Sequence, residues 1–260
     1  MNQVHPSAAQ GFAAAADTYV RGRPGYPEEL LAWLTGDLGL GVGGTCVDLG
    51  AGTGKFTRLL LRTGAQVLPV EPVAPMRAQL EAGLPGVRAL DGTAQAMPLA
   101  SGSADAVVCA QAFHWFAGAE ALAEIHRVLR PGGRLGLVWN VRDERVDWVA
   151  ELTAIMAPYE TGTPRYHSGA WRAPFGAPDG GGFTPLEETC LPHLHQGTPR
   201  AVILERTLSV SFIASLPDPE RARVRARLEA LIASHPDLRG RESIAFPYLT
   251  HAYRCIRRDG

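Results

Sequence analysis

The stretch Thr45-Cys46-Val47-Asp48-Leu49-Gly50-Ala51-Gly52-Thr53-Gly54 decides how the rest of the chain is read. An apolar run, Thr45 to Leu49, ends in glycines at alternate positions, and Lys55 to Thr63 follows as a predicted helix. Strand, tight loop and helix in that order open an α/β unit. Glycines at 50, 52 and 54 permit a sharp turn and let the backbone approach a ligand with no Cβ in the way. The spacing is G-x-G-x-G, which differs from the G-x-G-x-x-G of dinucleotide sites, and no G-x-x-x-x-G-K-[ST] phosphate loop occurs. Asp48, two residues before the first glycine, would repel a pyrophosphate and suits a ligand carrying an ammonium group.

Glu71 ends the next apolar run, Val67 to Val70, about 20 residues after Gly50, where a doubly wound fold places its ribose-binding acid. A ribose, a positive group near Asp48 and no phosphate together describe S-adenosylmethionine. Downstream, Ala106 to Ala110 is a continuous apolar run, as expected of a strand buried on both faces. It leads into Gln111-Ala112-Phe113-His114-Trp115-Phe116, which falls at the carboxyl edge of the sheet, where open α/β folds bind their ligands. Pro69 is awkward for a central strand because it lacks a ladder donor. Val87 to Leu90 is predicted as a further short strand, and Ala245 to Arg257 as the last one.

The chain resembles the class I S-adenosylmethionine-dependent methyltransferases, in particular a small-molecule branch that includes trans-aconitate-type and related bacterial enzymes. The resemblance rests on Val47 to Gly54, Glu71-Pro72, Gly92-Thr93-Ala94-Gln95-Ala96-Met97-Pro98-Leu99, Phe113-His114-Trp115-Phe116 and Arg127-Val128-Leu129-Arg130-Pro131-Gly132-Gly133, within residues 17–142. It implies an α/β fold: a doubly wound three-layer sandwich around a mostly parallel seven-stranded sheet with an antiparallel last strand, plus a small cap. One methyltransferase domain would span 1–260, with a lid at 1–27, a cofactor-binding core at 45–142, a substrate-cap insertion at 158–182 and a completing region at 183–260. S-adenosylmethionine is the implied cofactor, held by Asp48, Gly50, Ala51, Gly52, Gly54 and Glu71. Pro72, Thr93, Ala94, Gln111 and Trp115 are further expected contacts. Many relatives carry Asp where Thr93 stands, so either Thr93 or nearby Asp91 is the expected adenine reader.

The implied methyl acceptor is a small molecule. Tyr19, Arg23 and Tyr26 belong to a Pro- and Gly-rich stretch that reads either as a linker or as a lid over the ligands. The 158–182 window is also rich in proline and glycine with interleaved aromatics, and is too long for an ordinary connector. Tyr166 and Trp171 within it, together with Trp139 and His114, are expected at the acceptor. His114 is the candidate general base, because an ordinary histidine titrates near neutral pH, against a plain packing role.

Composition bounds the rest. The 260 residues are 46% hydrophobic and 20% charged, with a formal net charge of −1. No global field therefore recruits nucleic acid or an anionic membrane. No apolar run is long enough to span a bilayer and the N-terminus does not read as a secretory signal. The four cysteines are spread through predicted strands and read as buried thiols in a reducing cytoplasm. His193 and His195 share a strand face but lack a third ligand, so no metal site is expected. Thr198 to Leu216 and Asp218 to Ser234 are predicted as two helices, the second N-capped by Asp218, with Arg221, Arg223, Arg225 and Arg227 on a solvated face. Two other functions stay open. A base-modifying nucleic-acid methyltransferase would carry Asn/Asp-Pro-Pro-aromatic where Gln111-Ala112-Phe113-His114 stands. A non-catalytic S-adenosylmethionine-binding scaffold would keep the glycine loop without turnover.

Overall fold

The computed structural model describes residues 24–160, 162 and 164–259. Tyr19, Arg23 and most of the segment expected as a lid lie outside them. Among the described residues six strands form one sheet: β1 (Thr45–Leu49), β2 (Gln66–Val70), β3 (Ala104–Ala110), β4 (Leu129–Arg142), β5 (Glu187–Gly197) and β6 (Ile244–Ile256), in the order β2-β1-β3-β4-β6-β5. β1 pairs in parallel with β2 and β3, and β3 with β4. The last strand, β6, runs antiparallel to both β4 and β5.

The sheet has six strands where seven were expected. Val87 to Leu90 contributes only the bridge Val70–Leu90. Pro69 supplies the reason. Glu71 N donates to Leu90 O at 3.0 Å, and Leu90 N to Pro69 O at 2.8 Å. The N–H and C=O of one strand residue point to the same side, so the donor that Pro69 lacks belongs to the preceding rung on that outer edge. Pairing of β2 with β1 continues regardless, because alternate residues serve that side, as the 2.8 Å bond from Gly50 N to Val70 O shows.

Alternation of apolar residues puts a helix layer on each face. Val47, Val107, Leu135 and Leu137 join Leu122, Ile125 and Val128 of α4 (Ala119–Val128) in one core. Cys46, Ala106, Val108 and Val138 point the other way, onto Leu30, Trp33 and Leu34 of α1 (Leu30–Gly36) and Leu59 and Leu60 of α2 (Thr57–Leu61). Helix α3 (Ala74–Gly83) packs Leu80 against Ala51 and Leu84 below the glycine loop. A separate apolar cluster joins α5 (Asp147–Met156) and α6 (Asp218–Ser234) to Phe246 and Tyr248 of β6.

Several local expectations change. Thr198 to Leu216 is not one helix: a π-turn at Arg200–Glu205 is followed by short turns at Arg206–Leu208 and Ser211–Ala214. Pro217 caps α6, and Asp218 lies inside its first turn, where it pairs with Arg221 at 2.6 Å. The arginines of that helix are exposed as expected. Cys46, Cys109 and Cys255 are buried, but Cys190 is exposed because β5 is an edge strand. Pro131 to Gly133 bulge out within β4, which continues past Trp139 to Arg142. The 158–182 segment is built from short 3₁₀ turns and is pinned by Trp171, 1% exposed. No helix among the described residues is long and apolar enough to cross a membrane.

Candidate functional site

The strand-to-helix loop after β1 is held by its own backbone and by two acids. Gly50, Gly52 and Gly54 all have positive φ, at 74°, 58° and 80°. Their surroundings differ. A Cβ on Gly50 would lie 2.7 Å from Ala112 Cβ, and one on Gly54 2.8 Å from Leu80 Cγ. At Gly52 a Cβ would meet nothing within 4 Å, so the space beyond this residue is open to a ligand. Gly52 N donates to Glu71 Oε2 at 2.9 Å, and Val73 N to Glu71 Oε1 at 2.9 Å. A carboxylate offers about four lone-pair sites, so two remain for hydroxyl donors. Burial raises the Glu71 carboxyl above its ordinary range, against the pull of these two N–H groups and of Arg77.

Asp48 is 1% exposed, and Thr57 Oγ1 donates to its Oδ2 at 2.6 Å. Its Oδ1 is buried without a hydrogen-bond partner. Burial first, opposed by the Thr57 bond, and then the nearby Glu71 charge push its pKa up to about 7. A buried acceptor without a donor beside an open cradle fits a ligand that brings its own cation. On the far side, Thr93 Oγ1 is likewise buried without a partner, whereas Asp91 is exposed and paired with Arg77 at 3.0 Å. Of those two residues, Thr93 therefore has the unused polar atom. Ala94 is buried beside it, and Pro72 is half-buried after Glu71.

The carboxyl ends of β3 and β4 form the second half of the site. Gln111 holds φ 57°, a left-handed conformation in a residue other than glycine. Its N donates to Val138 O at 2.8 Å, and its Nε2 to Asn140 O at 3.2 Å. Such strain persists where surrounding structure enforces it, and it aims the following 3₁₀ turn, Phe113–Trp115, across the sheet edge. Trp139 Nε1 donates to His114 Nδ1 at 3.0 Å. Indole nitrogen only donates, so Nδ1 is the accepting nitrogen and the neutral ring carries its proton on Nε2. The general-base role expected of His114 needs a bare nitrogen toward the acceptor. In this tautomer Nε2 carries the proton, so a base role requires the other tautomer.

A cavity of about 120 Å³ opens along this edge, lined by Gln111, His114, Trp139, Asn140, Arg142 and Tyr166 among others. His114, Trp139 and Tyr166 are thus brought together as expected. Trp171 is not part of the lining. It is buried 4.5 Å from the Trp139 ring, and its Nε1 donates to Tyr166 O at 3.2 Å, so it anchors the cap from beneath. Tyr26 packs edge-on against Phe56 at 4.7 Å, on the glycine-loop side. Trp115 is half-buried beside the His114 ring at 5.1 Å, outside the lining. Sequence reading missed Arg142, Arg165, Arg206 and His167, which line the same cavity. The sequence reads as a strand from Arg134 to Trp139 ending at Asn140, and the position of Arg142 just beyond it was the only cue. The one group of three metal-ligand side chains among the described residues is Asp147, His235 and Asp237, which does not include His193 or His195.

Known proteins resemble this chain in sequence and in fold. A methyltransferase-domain family profile matches residues 47–137. An uncharacterized methyltransferase of Mycobacterium tuberculosis is 40% identical over 246 residues, covering 95% of this chain and 94% of that protein. Among solved structures, a phosphoethanolamine N-methyltransferase of Haemonchus contortus, in complex with phosphomonomethylethanolamine and S-adenosylhomocysteine, aligns with a TM-score of 0.58. It is 15% identical and covers 100% of this chain and 61% of its own. The [4+2]-cyclase SpnF aligns at 0.55 with 17% identity, covering 97% of this chain and 96% of its own. At these identities both share the fold, and the cyclase shows that the fold alone does not decide the reaction.

Proposed function

The chain belongs to the class I S-adenosylmethionine-dependent methyltransferases, and from that premise we propose that it methylates an oxygen, nitrogen or carbon nucleophile of a small molecule held beside His114. The observation that carries this reading is the cavity at the β3 and β4 ends. Gln111 in its lining is followed by Ala112, whose side chain packs close to Gly50 of the glycine loop.

The residues present fit the cofactor. Gly52 opens onto free space, Asp48 Oδ1 awaits a cationic donor, Glu71 keeps lone pairs for ribose hydroxyls and Thr93 Oγ1 is unused. Gly50, Ala51 and Gly54 shape the cradle, and Pro72, Ala94, Gln111 and Trp115 complete the set assigned to it. S-adenosylmethionine supplies an electrophilic methyl group on a positively charged sulfur. The chain's own work is alignment, which in favourable systems removes roughly 7–11 kcal/mol from a barrier. Gln111, fixed by Val138 and Asn140, sets the edge against which the acceptor lies. His114, held by Trp139, donates from Nε2 to a lone pair of the acceptor and orients it. It would act as a base only if the Trp139 bond were given up. Tyr166 and the 158–182 segment form the roof, and Tyr19, Arg23 and Tyr26 belong to a lid over the cofactor side. Four cysteines without disulfides, three of them buried, suit a reducing compartment, and we assign the enzyme to the cytoplasm.

The test uses S-adenosylmethionine labelled in its methyl group. The full chain is incubated with a small-metabolite extract and, separately, with tRNA and DNA. Label is expected in the small-molecule fraction only. Label confined to nucleic acid would reject the acceptor class. Binding of S-adenosylhomocysteine with no transfer to any fraction would favour the scaffold reading.

A further inference from the structure

The part of the cavity away from His114 carries an uncompensated positive charge. Arg142 comes from the end of β4, Arg165 from the 158–182 segment and Arg206 from the turn that follows Arg200–Glu205, and all three line the same space. Among the described residues their partners are few, Glu144 acting on Arg142 only as a minor opposing charge. Glu160 Oε1 lies 2.9 Å from Arg165 Nε and is the one carboxylate in the lining. Arg142 Nη1 reaches only the weakly accepting Sδ of Met156, at 2.8 Å. Arg165 Nη2 and Arg206 Nε and Nη1 are buried with no hydrogen-bond partner. His167 adds no further positive charge: burial and then the Arg142 charge lower its pKa, which keeps it neutral.

Arg127, an arginine that serves the fold, is fully partnered, whereas Arg134 and Arg257 outside the cavity each leave only a single Nε buried without a partner. Arg127 donates twice to Glu124 and also to Leu99 O, Met97 O and Ser101 Oγ. Three guanidinium groups sharing a half-dry cavity with one carboxylate repel each other, and burial of their N–H groups without acceptors is costly. An anion removes both penalties. The planar fork of arginine matches carboxylate and phosphate oxygens alike. A π-turn is itself a costly local geometry that recurs at functional sites, and this one delivers Arg206 to the cavity wall.

We propose that Arg142, Arg165 and Arg206 bind an anionic group, a carboxylate or a phosphate, carried by the methyl acceptor. The charge sits at the arginine end and leaves the reacting atom at the His114 end. The assignment rests on the methyl-transfer reading of the same cavity.

The test is calorimetric titration of the full chain, with S-adenosylhomocysteine present, using succinate, inorganic phosphate and neutral succinamide as probes. One or both anions should bind at least tenfold more tightly than succinamide. Succinate ahead of phosphate assigns a carboxylate, and the reverse assigns a phosphate. Arg165→Met and Arg206→Met should each weaken anion binding by about 10- to 100-fold, with S-adenosylhomocysteine affinity unchanged. Arg206→Lys retains the charge, loses the fork and serves if the methionine variant does not fold; it should weaken binding by about tenfold. Anions no tighter than succinamide, or unchanged anion affinity in all the arginine variants, overturns the proposal. Failure of S-adenosylhomocysteine to bind the wild type would instead reject the methyl-transfer reading, since anion binding is measured separately.

Discussion

The two ends of the site carry opposite charge, and each is built by a different route. At the glycine loop, Asp48 and Glu71 are buried carboxyls whose pKa values are pushed up. In the outer cavity, Arg142 and Arg165 are pushed down, by burial first. Each end holds charge that the protein itself does not neutralise, complementary to a cationic cofactor and to an anionic acceptor. The acidic end comes from one strand-loop-helix unit and the residue ending the next strand, all close together in sequence. The basic end is gathered from residues 142, 165 and 206, on three elements that meet only in the folded chain. Stored charge of this kind costs stability in the free protein and is returned on binding, which makes the comparison measurable.

The largest expected effect is the pH response of Asp48. Its pKa rises from 3.8 to about 7 in the folded chain. The folded state thus keeps a proton that the unfolded chain has released. The stability from this group is fully present below pH 3.8 and is lost as pH rises through about 7. The loss amounts to about 4 kcal/mol, since each tenfold change in proton affinity is worth about 1.4 kcal/mol. The stability of Asp48→Asn relative to wild type should grow by that order between pH 4 and pH 8, read from denaturant melts. S-adenosylhomocysteine affinity of the wild type should rise with pH up to about 7 and then level off, and Asp48→Asn should bind weakly at every pH. A flat difference between the two proteins would remove stored charge from the acidic end.

Next come the glycines, which separate fold from function within the loop. Gly54→Ala combines a positive φ with a 2.8 Å contact to Leu80 and should cost about 2–4 kcal/mol of stability. Gly52→Ala meets no neighbour and should cost only about 1–2 kcal/mol, the left-handed penalty. It should nonetheless abolish detectable S-adenosylhomocysteine binding by filling the cradle. Equal stability loss in the two variants would mean that Gly52 serves the turn alone.

Glu71→Ala should weaken S-adenosylhomocysteine by about 1–3 kcal/mol, because ribose hydroxyls and the N–H groups of Gly52 and Val73 lose an acceptor. Anion binding at the arginine end should not change, and a parallel loss there would show that the two ends are not separable.

The smallest effect is expected at the junction. Trp139→Phe removes the donor to His114 and should cost about 1 kcal/mol of stability. With Nδ1 released, both tautomers become available, and turnover should fall several-fold and acquire a new pH dependence while cofactor affinity holds. Unchanged turnover and pH profile would reduce His114 to a packing residue.

Much of the acidic end was legible in the sequence. Glycine spacing, an acid before it and a second acid after the next apolar run are short-range features, and short-range features survive as patterns. The edge carrying Gln111 and His114 was legible for the same reason, as it follows the buried strand Ala106 to Ala110 directly. Trp171 was misplaced because an aromatic in a Pro- and Gly-rich segment reads alike whether it faces a ligand or pins the segment to Trp139. The hydrogen bond that sets the tautomer of His114 was not legible, because it comes from Trp139, 25 residues away on β4.

By itself the sequence determined the alternation of strand and helix, the glycine loop with its two acids and the family, since each depends on residues close enough in the chain to form a pattern. Only the tertiary structure decided the strand count, the bond from Trp139 to His114 and the arginine cluster. Pro69 alone did not show which edge its missing donor faces. Three arginines far apart in the chain become a site only when β4, the cap segment and the π-turn enclose one cavity. In water each would be an ordinary solvated cation. Held together in partial burial, their charges no longer screen, and they acquire a ligand preference that none of them has alone.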